Sequence, residues 1–188
     1  MNHILTSAFA ALAFCVTAFA AEPTVVVHTK LIEINSANRL TITELPKDAA
    51  GLLSKKGVNV LTFPEVKSRS GESKEFSTTR DIEVADRGKF QIGVTISVRP
   101  TVDGNRFRYS VDFNSTDFEG FASDPSKTPI FNIRKITDMK GECDGGKEVW
   151  LDLGERFAEQ VVEETGKPDT EQLIRRRLIV VIRFDNKA

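Results

Sequence analysis

The sequence is poor in the residues that catalysis uses. Its 188 residues include 2 histidines, 2 cysteines, 1 tryptophan and 1 tyrosine. His3 and Cys15 fall in an apolar leader, which leaves His28 and Cys143 for the rest of the chain. One cysteine cannot close an internal disulfide. One histidine excludes His-pair metal sites and any triad built on two histidines. His28 lies inside an apolar run, where a hydrogen-bonded structural histidine is expected. Cys143 sits in the turn-like "GECDGGK", and its neighbours Glu142 and Asp144 raise a thiol's pKa, which works against a nucleophile. No Gly-rich phosphate loop follows a strand, and "GECDGG" lacks the GK[ST] ending. The 26 Lys+Arg balance 27 Asp+Glu, so no long-range pull toward nucleic acid or an anionic membrane is expected.

Carboxylates are plentiful. Asp112, Asp117 and Glu119 cluster, and Asp144 and Glu148 flank a turn, yet none shows the oxygen-ligand spacing of an EF-hand. Solvated loop acids are the expected reading, and a hydrolase using a carboxylate pair has no constellation behind it. Arg175-Arg176-Arg177 is the densest positive run, too short for a specific nucleic-acid patch and suited to marking the entry to a buried strand. No catalytic, cofactor-binding or metal-ligating residue is therefore assigned, and no small-molecule substrate is expected.

Residues 5–20 are apolar, contain no Asp, Glu, Lys or Arg, and end in "TAFAAEP". Ala18-Phe19-Ala20 fits the small-x-small pattern of signal peptidase, predicting a signal peptide over 1–21 and one domain over 22–188. The run is shorter than the roughly 20 residues of a spanning helix. Phe14, just before Cys15, argues against lipoprotein processing.

Strand patterns fill most of the remainder. "FQIGVTISVRPTVDGNRFRYSVDF" places Phe90, Ile92, Val94, Ile96 and Val98 on one parity, and after the turn signal Asp103-Gly104 repeats the alternation with Phe107, Tyr109, Val111 and Phe113. Such alternation predicts two strands, each with one apolar and one polar face. "TVVVHTKLIEI" and "RLIVVIRF" are apolar on both parities, as strands covered on both faces are. "RLTITEL" and "KEFSTTRDIEV" read as further strands, and "VNVLTFPEVKS" as an extended segment interrupted by Pro64. "IFNIRKITDM" and "KEVWLDLG" read as strands joined across "GECDGG", and "NSTDFEGFASDPSKTP" as a loop. Two short helices are expected, one in "LPKDAAGLLSKKG" and one carrying the stripe Phe157, Val161 and Val162. The predicted class is mainly β (β-rich α+β), with antiparallel sheets or a sandwich and one or two short helices.

In this order the segments resemble the secretin domain, the C-terminal domain of bacterial type II and III secretion and type IV pilus outer-membrane channels. "VVVHTKLIEIN" is similar to the family's opening strand. "LLSKKGVNVLTFPEVKSRSGESKEFSTTRDI" resembles its helix, its "vLs-x-P-x-v" strand with Val60, Leu61, Pro64 and Val66, its small-residue turn at Gly71, and its following strand at Arg80-Asp81-Ile82. "QIGVTISVRPTVDGNRFRYSVDF" resembles "vGv-x-l-x-v-x-P-x-v" followed by "dg-x-i-x-l-x-v", with Gly93, Val94, Ile96, Val98, Pro100, Val102 and Gly104 in place. The "dGet"-like turn at Gly145 and the closing "RRRLIVVIRF" complete the set. The family's "l-G-d-i-P" stretch has no counterpart, and an acidic insert over 155–170 stands there instead.

The resemblance implies assembly without catalysis: family members form rings in which each chain donates strands to a shared barrel, so a hairpin's apolar face would meet lipid. The alternative is a stand-alone periplasmic or secreted β-sandwich that binds a partner, with the same face turned into its own core. The 28% charged residues and the scarcity of tryptophan and tyrosine for an aromatic girdle favour inward packing. The expected protein is a non-enzymatic exported envelope component, an accessory or assembly part of a secretion or type IV pilus system in the periplasm or outer membrane, or secreted. Its expected partners are envelope proteins or copies of itself.

Overall fold

A computed structural model describes residues 23–35, 57–122, 128–162 and 170–186. The leader at 1–21, "RLTITEL" and the helix expected in "LPKDAAGLLSKKG" lie outside them. Nine strands are described: β1 (Thr24–Asn35), β2 (Val58–Thr62), β3 (Val66–Arg69), β4 (Lys74–Val84), β5 (Gly88–Asp103), β6 (Arg106–Phe121), β7 (Pro129–Asp144), β8 (Glu148–Val162) and β9 (Thr170–Asn186).

They form two antiparallel sheets. One runs β2-β1-β9-β8, with β3 also on β1; the other is the meander β4-β5-β6-β7. β2 and β3 share one edge of β1, β2 along Lys30 to Ile34 and β3 along Thr24 to Val27. Pro64 sits in the break between them, where a residue without an N–H costs the ladder nothing. The preceding Phe63 donates its N–H to Thr29 O at 3.0 Å and buries its ring.

The core lies between the sheets. Val25, Val27 and Leu31 of β1 and Leu178, Val180, Ile182 and Phe184 of β9 meet Phe76 of β4, Ile96 and Val98 of β5, and Phe107, Val111 and Phe113 of β6. The rings of Phe107 and Tyr109 stack on Phe184 across the gap, with centroids 5.5 and 5.9 Å apart. Ile32 and Ile34 of β1 and Ile179 and Val181 of β9 have the opposite parity and form a second buried cluster on the far face of their sheet. Two-sided burial is why both strands read as continuous apolar runs.

The alternating hairpin therefore packs as inward burial requires. Ile96 and Val98 are fully buried, Ile92 is buried, and Val94 packs partly buried against the same core. The loop between β5 and β6 is Gly104-Asn105, with Gly104 at φ 61°, the first central position of a II′-type turn.

Two local expectations are corrected and a third is sharpened. The stripe Phe157, Val161 and Val162 is not helical: β8 runs through it and pairs with β9, from Phe157↔Arg175 to Val162↔Thr170. Phe157 and Val161 are four apart, a spacing that satisfies both a helical face and one strand parity, and the long ladder decides between them. The loop expected over "NSTDFEGFASDPSKTP" begins later, because β6 continues to Phe121 and pairs with β7 up to Pro129. Finally, "GECDGG" joins two strands that do not pair. β7 ends one sheet and β8 begins the edge of the other, so the turn crosses between layers, held by Gly146 N–H donating to Phe184 O at 2.8 Å.

Candidate interaction surface

The residues singled out from sequence are mostly turn-builders, and four gather at one end of the sandwich. Gly71, at φ 82° between β3 and β4, donates its N–H to Pro100 O at 2.6 Å. Ser70 Oγ accepts from Val102 N at 3.0 Å, so this turn is docked on β5. Pro100 is tolerated inside β5 because β4 has already ended, its last pair being Lys74↔Val98. Gly104 forms the adjacent hairpin loop, and a Cβ on Gly145 would lie 3.2 Å from the Phe107 ring. Pro64 stands apart in the β2–β3 break.

Gly93 sits mid-sheet. Its φ is 130°, and a Cβ there would come within 2.1 Å of Thr78 O, so only glycine lets β5 pass β4 at this row. Gly141 was not singled out, although a Cβ on it would lie 2.2 Å from the Tyr109 hydroxyl. Its signal was the tyrosine opposite, visible only once the β6–β7 register is known.

The polar groups are committed to structure. His28 Nε2 lies 2.8 Å from Asp185 Oδ2 and 3.1 Å from the Arg183 guanidinium, and Nδ1 lies 3.7 Å from Glu65. This cluster borders a cleft of about 200 Å³, whose Lys30 pairs with Glu148 at 3.4 Å and whose Arg183 pairs with Asp185 at 3.1 Å. Each cation already has a carboxylate, which leaves no convergent charge for a ligand. Arg176 faces Glu33 at 3.7 Å, and the Arg177 guanidinium bridges to Asp152. The arginine run thus pairs with carboxylates of the same sheet at these two positions.

The acids behave likewise. Asp112 accepts a backbone N–H from Asp138, Asp144 pairs with Lys147 and Arg106, and Glu119 accepts from Asn132. Among the described residues no group of three His, Cys, Asp or Glu is placed to hold a metal ion. Burial first, then the Asp144 carboxylate, pushes the half-buried Cys143 thiol above its ordinary value. No described helix is long and apolar enough to cross a membrane.

What remains open to chemistry is the rim of the meander sheet. Among the described residues β4 and β7 have no strand on their outer side, which leaves one row of backbone donors and acceptors on each without a strand partner there. Near the free end of this sheet, Phe131 contacts Phe90 and Phe118 with centroids 4.9 and 5.7 Å apart, and Phe118 contacts Phe121 at 5.2 Å. Phe121, Ile130 and Ile133 are exposed there, Ile133 at 68%. Apolar side chains beside an unpaired edge are the ingredients of strand addition. β7 is broken by Asp138, a non-glycine residue at φ 60°, where the β6–β7 register shifts. Ser110 and Lys140 hold its carboxylate, and Lys140 chiefly keeps it below the usual carboxylate range.

The two-layer β fold is similar to that of solved secretin structures. The chain is similar over 90% of its length to a chain of the Klebsiella pneumoniae type II secretion system outer membrane complex of PulD, PulS and the PulC HR domain, at TM-score 0.53 and 14% identity. It is similar to the type II secretin GspD of enteropathogenic Escherichia coli over 90% of its length, at TM-score 0.51 and 14% identity. The V. cholerae type IV competence pilus secretin PilQ matches over 89%, at TM-score 0.50 and 9% identity. The chain spans 41%, 70% and 62% of those three chains. At these identities the likeness is one of fold. No family model matches the sequence, and no curated protein does.

Proposed function

We propose that the chain is an exported, non-enzymatic protein of the bacterial envelope that acts by assembly, as an accessory or assembly component of a secretion or type IV pilus system. The reading takes residues 1–21 as a removable signal peptide and 22–188 as one working domain. The observation that carries it is the secretin-like sandwich whose meander sheet has, among the described residues, no further strand along either β4 or β7. The hydrogen bonds and ion pairs of His28, Asp112, Glu119 and Asp144, with the half-burial of Cys143, support a role without catalysis. The partners are envelope proteins or further copies, reached by adding strands to an open edge.

A stand-alone periplasmic or secreted binding module is the second reading. The complete burial of Ile96, Val98, Val111 and Phe107 within one copy favours it, since that core closes without lipid. Light scattering on the protein, purified from cells that export it, with and without detergent, separates the two. A multi-subunit particle is expected. A monomer at every concentration in both conditions would sink the assembly reading and leave the binding module.

A further inference from the structure

One cation stands between the two sheets without a partner. Arg134 of β7 lies directly opposite Ser115 of β6, and directly opposite residues of an antiparallel pair share a face. Ser115 is buried, on the parity of the core residues Val111 and Phe113, so Arg134 is on the face turned toward the other sheet. Its side chain reaches β8: a Cβ on Gly154 would lie 3.2 Å from Arg134 Nη2, and the bare glycine, at φ 83°, leaves the guanidinium its room. Arg134 is partly buried, and among the described residues it has no hydrogen bond and no ion pair. A guanidinium has five donors, and drawing it out of water without an acceptor is unfavourable.

The carboxylate beside it is taken. Asp152 accepts the Gly154 N–H at 2.9 Å and Arg177 Nε at 3.2 Å. The hydrogen bond from Arg177 does most to hold the Asp152 carboxyl low, and the charge of Arg134 adds to it from the opposite sheet. Arg177 also has a second carboxylate to hand. Glu155 stands directly opposite it in the β8–β9 ladder, and its charge acts on Arg177. Two arginines therefore meet two acids at this level of the sandwich.

We propose that Asp152 exchanges partners, Arg177 turning to Glu155 while Arg134 closes on Asp152 as a strap between the two sheets. The inference is independent of the assembly reading. Only side chains move in the exchange. The charges stay balanced, and Arg134 gains the acceptor it lacks. The Gly154 N–H holds the Asp152 carboxylate in place for either arginine. The core contacts between the sheets are apolar, and apolar burial has no direction. A charge-assisted hydrogen bond has a fixed geometry, so the closed strap sets how one sheet lies on the other.

The test is a double-mutant cycle on the full chain, Arg134→Met against Asp152→Asn, read by urea unfolding at pH 7. It is run in the wild type and again in an Arg177→Gln background. Circular dichroism confirms folding, and Arg134→Gln replaces Arg134→Met should the latter not fold. Arg134 and Asp152 are expected to couple by about fivefold in the unfolding equilibrium constant, and by more once Arg177→Gln removes the competitor. Amide hydrogen exchange on the folded protein gives a second reading. Asp152→Asn is expected to speed exchange severalfold over residues 131–136 of the opposite sheet, and Arg134→Met to do the same over residues 152–155. Absence of coupling in the Arg177→Gln background, or faster exchange confined to the sheet that carries the substitution, overturns the strap.

Discussion

The carboxylate of Asp112 accepts the backbone N–H of Asp138 at 2.7 Å, and through it β6 holds the residue that kinks β7. A left-handed φ at a non-glycine residue persists only when its surroundings enforce it. Here Asp112, Ser110 and Lys140 do so together.

Replacing Asp112 with alanine leaves that N–H without its charged acceptor. A loss of about 1 kcal/mol in urea unfolding at pH 7 is expected, since the site is exposed and water replaces part of the bond. Unchanged stability would mean the bulge is set by the register alone.

Gly93→Ala tests the close passage of β4 and β5. Thr78 O leaves no room for a methyl group, and backbone cannot swing aside as a side chain can. The expected cost is about 2 kcal/mol or more. Gly104→Ala, at a positive φ with open space around it, is expected to cost about 1 kcal/mol. Equal costs at the two sites would contradict the steric account.

Phe107→Ala removes a ring buried between Phe184 and the crossover turn, at an expected cost of about 3–5 kcal/mol. Ile133→Ala, at an exposed edge position, is expected to stay within about 0.5 kcal/mol for the isolated chain. Chemical denaturation of the two variants beside the wild type gives the comparison directly.

Asp152 is held below the usual carboxylate range by its hydrogen bond to Arg177, and the pairing raises the arginine in turn. A carboxylate whose folded pKa is depressed contributes stability that is present above its unfolded value and is lost as pH falls through the folded one. The contribution is therefore full at neutral pH, starts to fall near the unfolded value of about 4, and is lost as pH drops through the lower folded one. Asp152→Asn is expected to lower stability at pH 7 and to flatten the acid limb of the pH profile. A parallel limb in the variant would assign that slope to other groups.

Cys143 is expected to react slowly with iodoacetamide at pH 7.5, because burial and Asp144 hold it as the thiol. Unfolding in urea is expected to raise the rate several-fold. A folded-state rate equal to that of a free peptide thiol would refute this.

Much of the architecture was legible in the sequence, for reasons that differ between elements. The β5–β6 hairpin was readable because strict alternation and a Gly-centred loop are both local signals. β1 and β9 were readable because two-sided burial leaves a doubly apolar run. The end of β8 was not, since Phe157 and Val161 fit both periods and only the pairing with β9 resolves them. "GECDGG" was recognised as a turn but not as a crossing between layers, because nothing local says which strands will pair. The open edges were invisible for the same reason. An edge is a property of the sheet, and β4 and β7 come to its two margins only after four strands are laid side by side.

The ladder between β1 and β9 runs from Val25↔Asn186 to Asn35↔Arg176, so the first and last described strands lie side by side at the centre of one sheet. The β4–β7 meander is built from consecutive neighbours and can form as the chain emerges. β1 must wait for its central partner until residues 176–186 have emerged, and such long-range pairing is slow. The nascent protein therefore passes through a stage with one sheet made and the other unable to form. Deleting β9 would extend that stage indefinitely, because it removes the middle of a sheet.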